Sequence, residues 1–380
     1  GTTWKKTLGG GEWTGVTDVV IDPRDPSILY AATWQHHRTV AAYMGGGPES
    51  GIHKSTDGGQ TWNRLETGLP EGNLGKIGLA ISSQDPDIVY AAIELNRRKG
   101  GVWRSEDRGA SWVKGADAVG GGTGPHYYQE LFASPHHFDH LYLVGPTVQK
   151  SQDGGKTFEP MKHPNQHGDM HSIVFHPSDP EYIMMGTDGG VYESFDLGAT
   201  WRYIENLPVT QYYKLALDDA ETFYNIYGGT QDNNTQGGPS RTDNLHGIRT
   251  ADWRVVLGGD GHQPATEPGN PDLLYAQWQQ GNLTRIDLTT DESVYIKPQP
   301  HLGDPPERYN WDSPILVSPH NPKRLYFASQ RVWRSDNRGD EWTAVSGDLT
   351  RSQDRMLLPI MERTWSWDAP WDMSAMSDYN

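Results

Sequence analysis

The sequence has no cysteine and little phenylalanine, and both shortages restrict what the chain can be. Among 380 residues there are no cysteines, and only 7 phenylalanines accompany 15 tryptophans. The absence of cysteine excludes disulfide bonds, thiolate catalysis and metal sites built on cysteine. It is compatible with a secreted protein that is stabilised by packing alone.

Long apolar runs and basic stripes are also missing. No stretch approaches the roughly 20 apolar residues that a membrane-spanning helix requires, so we expect no membrane span. The formal net charge is −17 at pH 7, which repels a phosphate backbone, so we expect no nucleic-acid partner. What the chain does contain is 44 glycines and 26 prolines, a composition that favours a turn-rich, all-β protein.

An eight-residue motif recurs along the chain. It begins with Ser-x-Asp, has glycine at its fifth position and ends in an aromatic residue. Glycine suits a positive-φ position, and the short acidic side chain accepts hydrogen bonds from turn amides, so each octet predicts the tip of a β-hairpin. We therefore expect the octet aspartates Asp57, Asp107, Asp153 and Asp196 to be structural and not catalytic. The five copies, the last with Asn337 in place of aspartate, are residues 55–62, 105–112, 151–158, 194–201 and 335–342.

A second repeat, which is rich in proline, lies about half a repeat length away from the octets in the sequence. Its first copy is residues 21–30, and successive copies are about 42 to 60 residues apart, the length of a four-stranded blade with its loops. Proline cannot donate to a strand ladder, so each copy predicts a turn between an inner strand and the next one. Seven copies predict an all-β β-propeller, most simply of seven four-stranded blades, over residues 1–345. We expect residues 4–6 to add an outer strand, and residues 346–380 to start a further blade or a connecting segment of a longer chain.

Four segments carry a family resemblance: residues 46–51, 228–233, 296–300 and 318–326. Together with the octets they make the chain similar to the large bacterial BNR (Asp-box) and sortilin-type repeat proteins, which are often labelled glycosyl hydrolases. The resemblance implies a secreted, periplasmic or cell-surface protein with one or two propellers, and members are typically longer at both ends. It implies no established reaction, because a fold does not define a function. A more distant similarity is to the tandem-propeller xyloglucanases.

Candidate functional residues are the polar positions expected on innermost strands, because these strands converge from different blades. Glycoside hydrolysis needs two carboxyl groups roughly 5 to 10 Å apart. The candidate catalytic acids are Glu130, Asp169, Asp260 and Asp312, for which hydrogen-bonded channel acids are the structural alternative. Asp18 belongs to the same group of inner-strand positions. The candidate ligand-binding residues are His171, Lys214, Asp232, His262 and Trp311.

The densest local cluster is residues 167–171. If this segment is extended, His167, Asp169 and His171 share one face of a strand. Two imidazoles and a carboxylate suit zinc or another divalent ion, so a divalent metal is the one cofactor that the sequence offers. The structural alternative is a hydrogen-bonded start to an inner strand.

These observations leave three hypotheses for function. The first is an extracellular or cell-envelope binding or scaffold module for a glycan, peptide or protein partner, with membership of a larger assembly left open. The second is a glycoside hydrolase with paired carboxylates at the channel mouth, and the third is a metal-dependent enzyme. We place the binding module first, because the octets are structural and explain much of the similarity on which the hydrolase label rests.

Overall fold

The computed structural model describes residues 1–38, 43–95, 99–120, 128–161, 165–207, 209–354, 357–359, 361–362 and 364. Its strands divide between two compact units, whose main spans are Gly1–Asn206 and Leu207–Asp354. Over the described residues the chain contains no α-helix, and a 3-10 turn lies at Thr250–Asp252. None of its described segments is a helix of the length and apolarity that crossing a bilayer requires.

The first unit contains four antiparallel sheets of four strands each, and every sheet uses strands that follow one another in the chain. A short hairpin, β3 (His37–Arg38) and β4 (Tyr43–Met44), interrupts the first sheet. The sheets are β1 (Thr14–Ile21), β2 (Leu29–Gln35), β5 (Gly51–Ser55) and β6 (Asn63–Leu65); β7 (Ile77–Ile81), β8 (Val89–Glu94), β9 (Gly100–Ser105) and β10 (Val113–Lys114); β11 (Glu130–Ala133), β12 (Leu141–Val144), β13 (Val148–Ser151) and β14 (Glu159–Pro160); and β15 (Met170–Phe175), β16 (Ile183–Thr187), β17 (Gly190–Ser194) and β18 (Arg202–Tyr203).

The second unit contains three more antiparallel sheets of the same design. They are β19 (Lys214–Leu217), β20 (Asn225–Gly229), β21 (Thr235–Pro239) and β22 (Arg254–Leu257); β23 (Ala265–Glu267), β24 (Asn270–Trp278), β25 (Asn282–Asp287) and β26 (Ser293–Tyr295); and β27 (Ile315–Val317), β28 (Leu325–Ala328), β29 (Val332–Ser335) and β30 (Thr343–Ala344). Seven four-stranded antiparallel sheets confirm the predicted fold class, a seven-bladed β-propeller. The expected outer strand at residues 4–6 is wrong: no strand precedes Thr14, and β6 completes the first sheet.

The proline-rich repeats form the predicted turns between the first and second strands of the sheets. The tyrosines that end several of them are fully buried, among them Tyr30, Tyr90, Tyr142 and Tyr275. In the first unit such a tyrosine also reaches the neighbouring sheet, since the Tyr30 hydroxyl donates a hydrogen bond to the Arg108 carbonyl at 2.8 Å. The repeat thus supplies a turn, a core side chain and a link between sheets.

The octets form the predicted hairpin tips between third and fourth strands. In the first octet the buried Ser55 hydroxyl donates to Asp57 Oδ1 at 2.7 Å and accepts from the Gly59 amide at 2.9 Å. Asp57 in turn accepts hydrogen bonds from the Thr61 amide and hydroxyl, and these bonds lower the pKa of Asp57 to about 2. Gly59 has a φ of 83°, a conformation that favours glycine. The aspartates of all four regular octets are engaged in this way, which supports a structural role for them.

The fifth octet forms the same turn, but at one hydrogen bond the donor and the acceptor are exchanged. In the regular octets a threonine or serine hydroxyl donates to the second aspartate oxygen. In the fifth, the Asn337 amide group donates from Nδ2 to Glu341 Oε2 at 3.4 Å, so the donor and acceptor have exchanged places. Asn337 Oδ1 still accepts from the Ser335 hydroxyl at 2.9 Å and from the Glu341 amide at 3.0 Å. Two substitutions therefore compensate each other within one turn.

Candidate functional site

The first strand of each sheet determines which polar residues meet. Within the first unit β1 packs against β7, β7 against β11 and β11 against β15, and within the second unit β19 packs against β23 and β23 against β27. Residues on these strands, or just before them, come together although they are far apart in sequence. This arrangement builds one polar cluster around Glu130 and another around His262.

The carboxyl cluster consists of Asp18, Lys76 and Glu130. Asp18 lies in β1, Lys76 directly precedes β7, and Glu130 begins β11. The Lys76 ammonium group forms an ion pair with Glu130 Oε1. Asp18 Oδ2 accepts a hydrogen bond from the Leu79 amide at 2.6 Å, which fixes its carboxyl group against the neighbouring strand. Three adjacent first strands thus place two carboxyl groups around one ammonium group.

Burial raises the pKa of Asp18 to about 6, and the negative charge of Glu130 adds to this increase. The hydrogen bond from Leu79 and the charge of Lys76 act in the opposite direction. A carboxyl group with such a pKa holds its proton in mildly acidic solution and can donate it to a leaving group. Two acids in different environments, one of them desolvated, form the arrangement that acid–base catalysis by carboxyl groups uses.

A second group of hydrogen-bonded side chains lies at the start of β15. The Tyr128 hydroxyl donates to Asp169 Oδ1, and His171 Nε2 lies 2.6 Å from Asp188 Oδ1. The Tyr128 and His171 rings are nearly parallel, with centroids 6.0 Å apart. Sequence reasoning selected Asp169 and His171 and missed their partners Tyr128 and Asp188, which belong to other turns of the chain.

The proposed metal set does not lie on an extended strand. Asp169 has a φ of 54°, β15 begins only at Met170, and its pairing with β16 is irregular between Met170 and Ser172. The premise that His167, Asp169 and His171 share one strand face is therefore not met, because the backbone turns within the segment. The metal itself stays a prediction, which elemental analysis of the purified protein would test.

The imidazole cluster of the second unit consists of Lys214, His262 and Asp312. Lys214 begins β19, whereas His262 and Asp312 lie three residues before β23 and β27 respectively. His262 is 7% exposed, and Tyr213 packs edge-on against its ring with centroids 5.7 Å apart. Burial lowers the pKa of His262, as does the charge of Lys214, and the charge of Asp312 opposes them. The imidazole is consequently neutral near pH 7.

Two glycine-rich segments are joined by hydrogen bonds beside this cluster. Asp260 Oδ1 accepts a hydrogen bond from the Asp232 amide at 3.1 Å, and Asn234 Oδ1 accepts one from the Gly259 amide at 3.1 Å. A Cβ atom on Gly229 would lie 2.4 Å from the His262 backbone nitrogen, so only glycine permits this approach. Asp260 and Asp232 thereby hold the turns that position His262.

The sequence prediction placed eight polar residues on innermost strands. Four of them, Asp18, Glu130, His171 and Lys214, do lie in first strands. The other four, Asp169, Asp260, His262 and Asp312, lie just before a first strand, because the strands begin later than the sequence pattern indicated. Trp311, also selected, lies half-buried beside Asp312, and its carbonyl accepts from the Gln280 amide at 3.2 Å. Lys76 was missed, and its position just before a first strand is the signal that would have found it.

Over about half of its length, the sequence is distantly similar to xyloglucanases. An oligoxyloglucan-reducing end-specific xyloglucanase of Emericella nidulans is 26% identical over 243 residues, which are 53% of this chain and 29% of that protein. Xyloglucanase Xgh74A of Acetivibrio thermocellus is 26% identical over 218 residues, which are 50% of this chain and 25% of that protein. The alignments thus span less than a third of the length of these relatives.

No protein-family model matches the sequence, so membership of the BNR and sortilin-type family stays a prediction. Among solved structures, the GH74 xyloglucanase from Xanthomonas campestris is 19% identical, and the match covers 91% of this chain and 47% of that one with a TM-score of 0.40. YCF48 from Cyanidioschyzon merolae is 11% identical, and the match covers 83% of this chain and 93% of that one with a TM-score of 0.35.

Proposed function

We propose that this chain is a glycoside hydrolase, or the propeller part of one, that cleaves a polysaccharide of the xyloglucan type. The observation that carries the proposal is the carboxyl cluster, in which a desolvated acid, Asp18, lies near the ion-paired Glu130. The distant xyloglucanase relatives support the same reaction class and substrate class. They favour the hydrolytic alternative over the binding module that the sequence analysis placed first.

Asp18 acts in this proposal as the general acid. It donates its proton to the glycosidic oxygen as the bond from that oxygen to the anomeric carbon breaks. Its pKa of about 6 keeps a useful fraction protonated in mildly acidic solution, where an ordinary aspartate would be ionised. The leaving sugar departs as a neutral alcohol, so no unfavourable alkoxide forms.

Glu130 supplies the second carboxyl group. As a carboxylate it either attacks the anomeric carbon or takes a proton from the attacking water, and in both cases water ends on the anomeric carbon. Lys76 positions Glu130 through their ion pair. The anomeric configuration of the first product, read by proton NMR, distinguishes the two routes, because only the first retains configuration.

The proposed catalytic acids differ in part from those that the sequence predicted. Glu130 keeps its catalytic assignment, and Asp18 replaces Asp169, Asp260 and Asp312 as its partner. Asp169 is engaged by the Tyr128 hydroxyl, and Asp260 holds the Asp232 amide. A secreted, periplasmic or cell-surface location would give the enzyme access to its polysaccharide.

The test is the release of reducing sugar from xyloglucan and other β-glucans by the wild type and by Asp18→Asn and Glu130→Gln. General acid–base catalysis contributes about 10²- to 10⁴-fold, so each variant should lose activity by such a factor. Asp117→Asn is the matched control, because Asp117 is an exposed carboxylate in the same unit. Circular dichroism checks the folding of each variant.

This experiment has three distinguishable outcomes. Activity that Asp117→Asn retains and both site variants lose supports the assignment. Wild-type release that survives Asp18→Asn and Glu130→Gln refutes the carboxyl cluster as the active site. An absence of release from every polysaccharide refutes the hydrolase and returns the binding module to first place.

A further inference from the structure

We propose that the imidazole cluster of the second unit, Lys214, His262 and Asp312, binds an uncharged sugar unit of a glycan chain. This site is separate in sequence and in chemistry from the carboxyl cluster. It takes its ligand class from the proposed function, but its test measures binding and does not depend on turnover.

His262 is buried and incompletely hydrogen-bonded. Its side chain is more than nine-tenths buried, and its Nδ1 atom has no hydrogen-bond partner among the described residues. A buried polar atom without a partner costs about 1–3 kcal/mol, so a protein rarely keeps one without a use. A ligand hydroxyl, or a water that a ligand holds in place, would satisfy it after a small movement of the ring.

The backbone around His262 is held by hydrogen bonds and close contacts. The Gly261 amide donates to the Thr230 carbonyl at 2.8 Å, and the Asp260 carboxylate holds the Asp232 amide. Gly229 lets the two backbones approach more closely than any side chain would allow. Such preorganisation lowers the cost of ordering a binding site when the ligand arrives.

The cluster combines opposite charges with an adjacent aromatic ring. Lys214 and Asp312 carry opposite charges, and the imidazole adds none, so the three side chains have no net charge near pH 7. They offer donors and an acceptor, which suits the hydroxyl groups of a sugar and not an anion or a cation. Tyr213, 44% exposed and packed against His262, adds an aromatic surface of the kind on which sugar rings pack.

The experiment uses the full chain in an Asp18→Asn background, so that the probe is not consumed. The probes are xyloglucan oligosaccharides and cellotetraose, and isothermal titration calorimetry measures their dissociation constants. Lys214→Ala and Asp312→Asn should each raise the dissociation constant about tenfold, the effect of losing one hydrogen bond to a charged group. Lys214 is exposed, so its truncation leaves the fold intact.

Lys323→Ala is the matched control, since Lys323 is an exposed lysine of the same unit. His262→Gln provides a further test, and the shift of the His262 ring protons in NMR spectra on addition of sugar reports contact even if that variant folds poorly. Weaker binding in Lys214→Ala and Asp312→Asn but not in Lys323→Ala supports the site. Equal binding in all variants, or no sugar binding at all, overturns it, whereas a wild type that binds sugar but hydrolyses none refutes only the proposed function.

Discussion

The two units use one architecture for different chemistry. In the first unit, three adjacent first strands bring together two carboxyl groups and a lysine, Asp18, Glu130 and Lys76. In the second, residues that begin a first strand or lie just before one bring together one carboxylate, one lysine and an imidazole, Asp312, Lys214 and His262. The comparison shows that the strand framework determines where polar groups meet, and that single residues determine which polar groups each cluster contains.

The hairpin tips differ between the units as well. All four regular octets belong to the first unit, and the second has the compensated fifth octet and two sheets without any. The four-stranded sheet forms in every case. The octet therefore stabilises a hairpin without being required for it, because strand pairing and core packing suffice in those two sheets.

The largest expected effect is on the rate of hydrolysis and comes from substitution of Asp18 in the first unit. Asp18→Asn should lower the rate of polysaccharide hydrolysis by about 10²- to 10⁴-fold. It should lose far less on an aryl glycoside with an acidic phenol as leaving group, because that phenolate departs without a proton. Steady-state kinetics on both substrates measure the difference. An equal loss on both would mean that Asp18 is not the proton donor.

The next effect concerns the regular octets. Ser55→Ala removes a buried hydroxyl that serves Asp57 and the Gly59 amide, and we expect a loss of about 1–3 kcal/mol in the free energy of unfolding. Urea denaturation followed by tryptophan fluorescence gives the change. Ser83→Ala is the control, since Ser83 is exposed and should change stability by less than about 0.5 kcal/mol. Similar losses in the two variants would show that the octet network adds nothing.

A smaller effect on stability is expected when the fifth octet is converted to the regular sequence. Asn337→Asp places a carboxylate opposite Glu341, and an exposed like-charge contact should cost roughly 0.5 kcal/mol at low salt. Adding Glu341→Thr restores the donor of a regular octet, so the double variant should recover the loss. Unfolding midpoints at low and high salt test this, and a double variant less stable than Asn337→Asp would contradict the compensation.

A further effect is the pH dependence of stability at Asp18, where a shift of about two pKa units corresponds to roughly 3 kcal/mol. Because the pKa of Asp18 is raised in the folded protein, its contribution to stability is fully present below the unfolded value near 4 and is lost as pH rises through about 6. The difference in unfolding free energy between the wild type and Asp18→Asn should therefore shift against the wild type from pH 4 to pH 7. Urea midpoints across this range measure the shift, and a constant difference would place the pKa of Asp18 near its ordinary value.

The sequence predicted the fold well because its signals are local. Each octet and each proline-rich turn forms within about ten residues, so their spacing was enough to predict seven blades. It predicted the sites less well because their partners are distant. Lys76 and Glu130 are 54 residues apart, and the burial that raises the pKa of Asp18 arises from neighbouring strands. Asp188 was likewise missed, since a hairpin turn gives no sign that it faces His171.

Among the described strands, each of the seven four-stranded sheets is made from one continuous stretch of chain, and none takes a strand from a neighbouring sheet. Each four-stranded sheet is therefore encoded by its own segment of the gene. Duplication or replacement of a whole blade leaves every other sheet with its full set of strands, and the resulting gene still encodes complete modules.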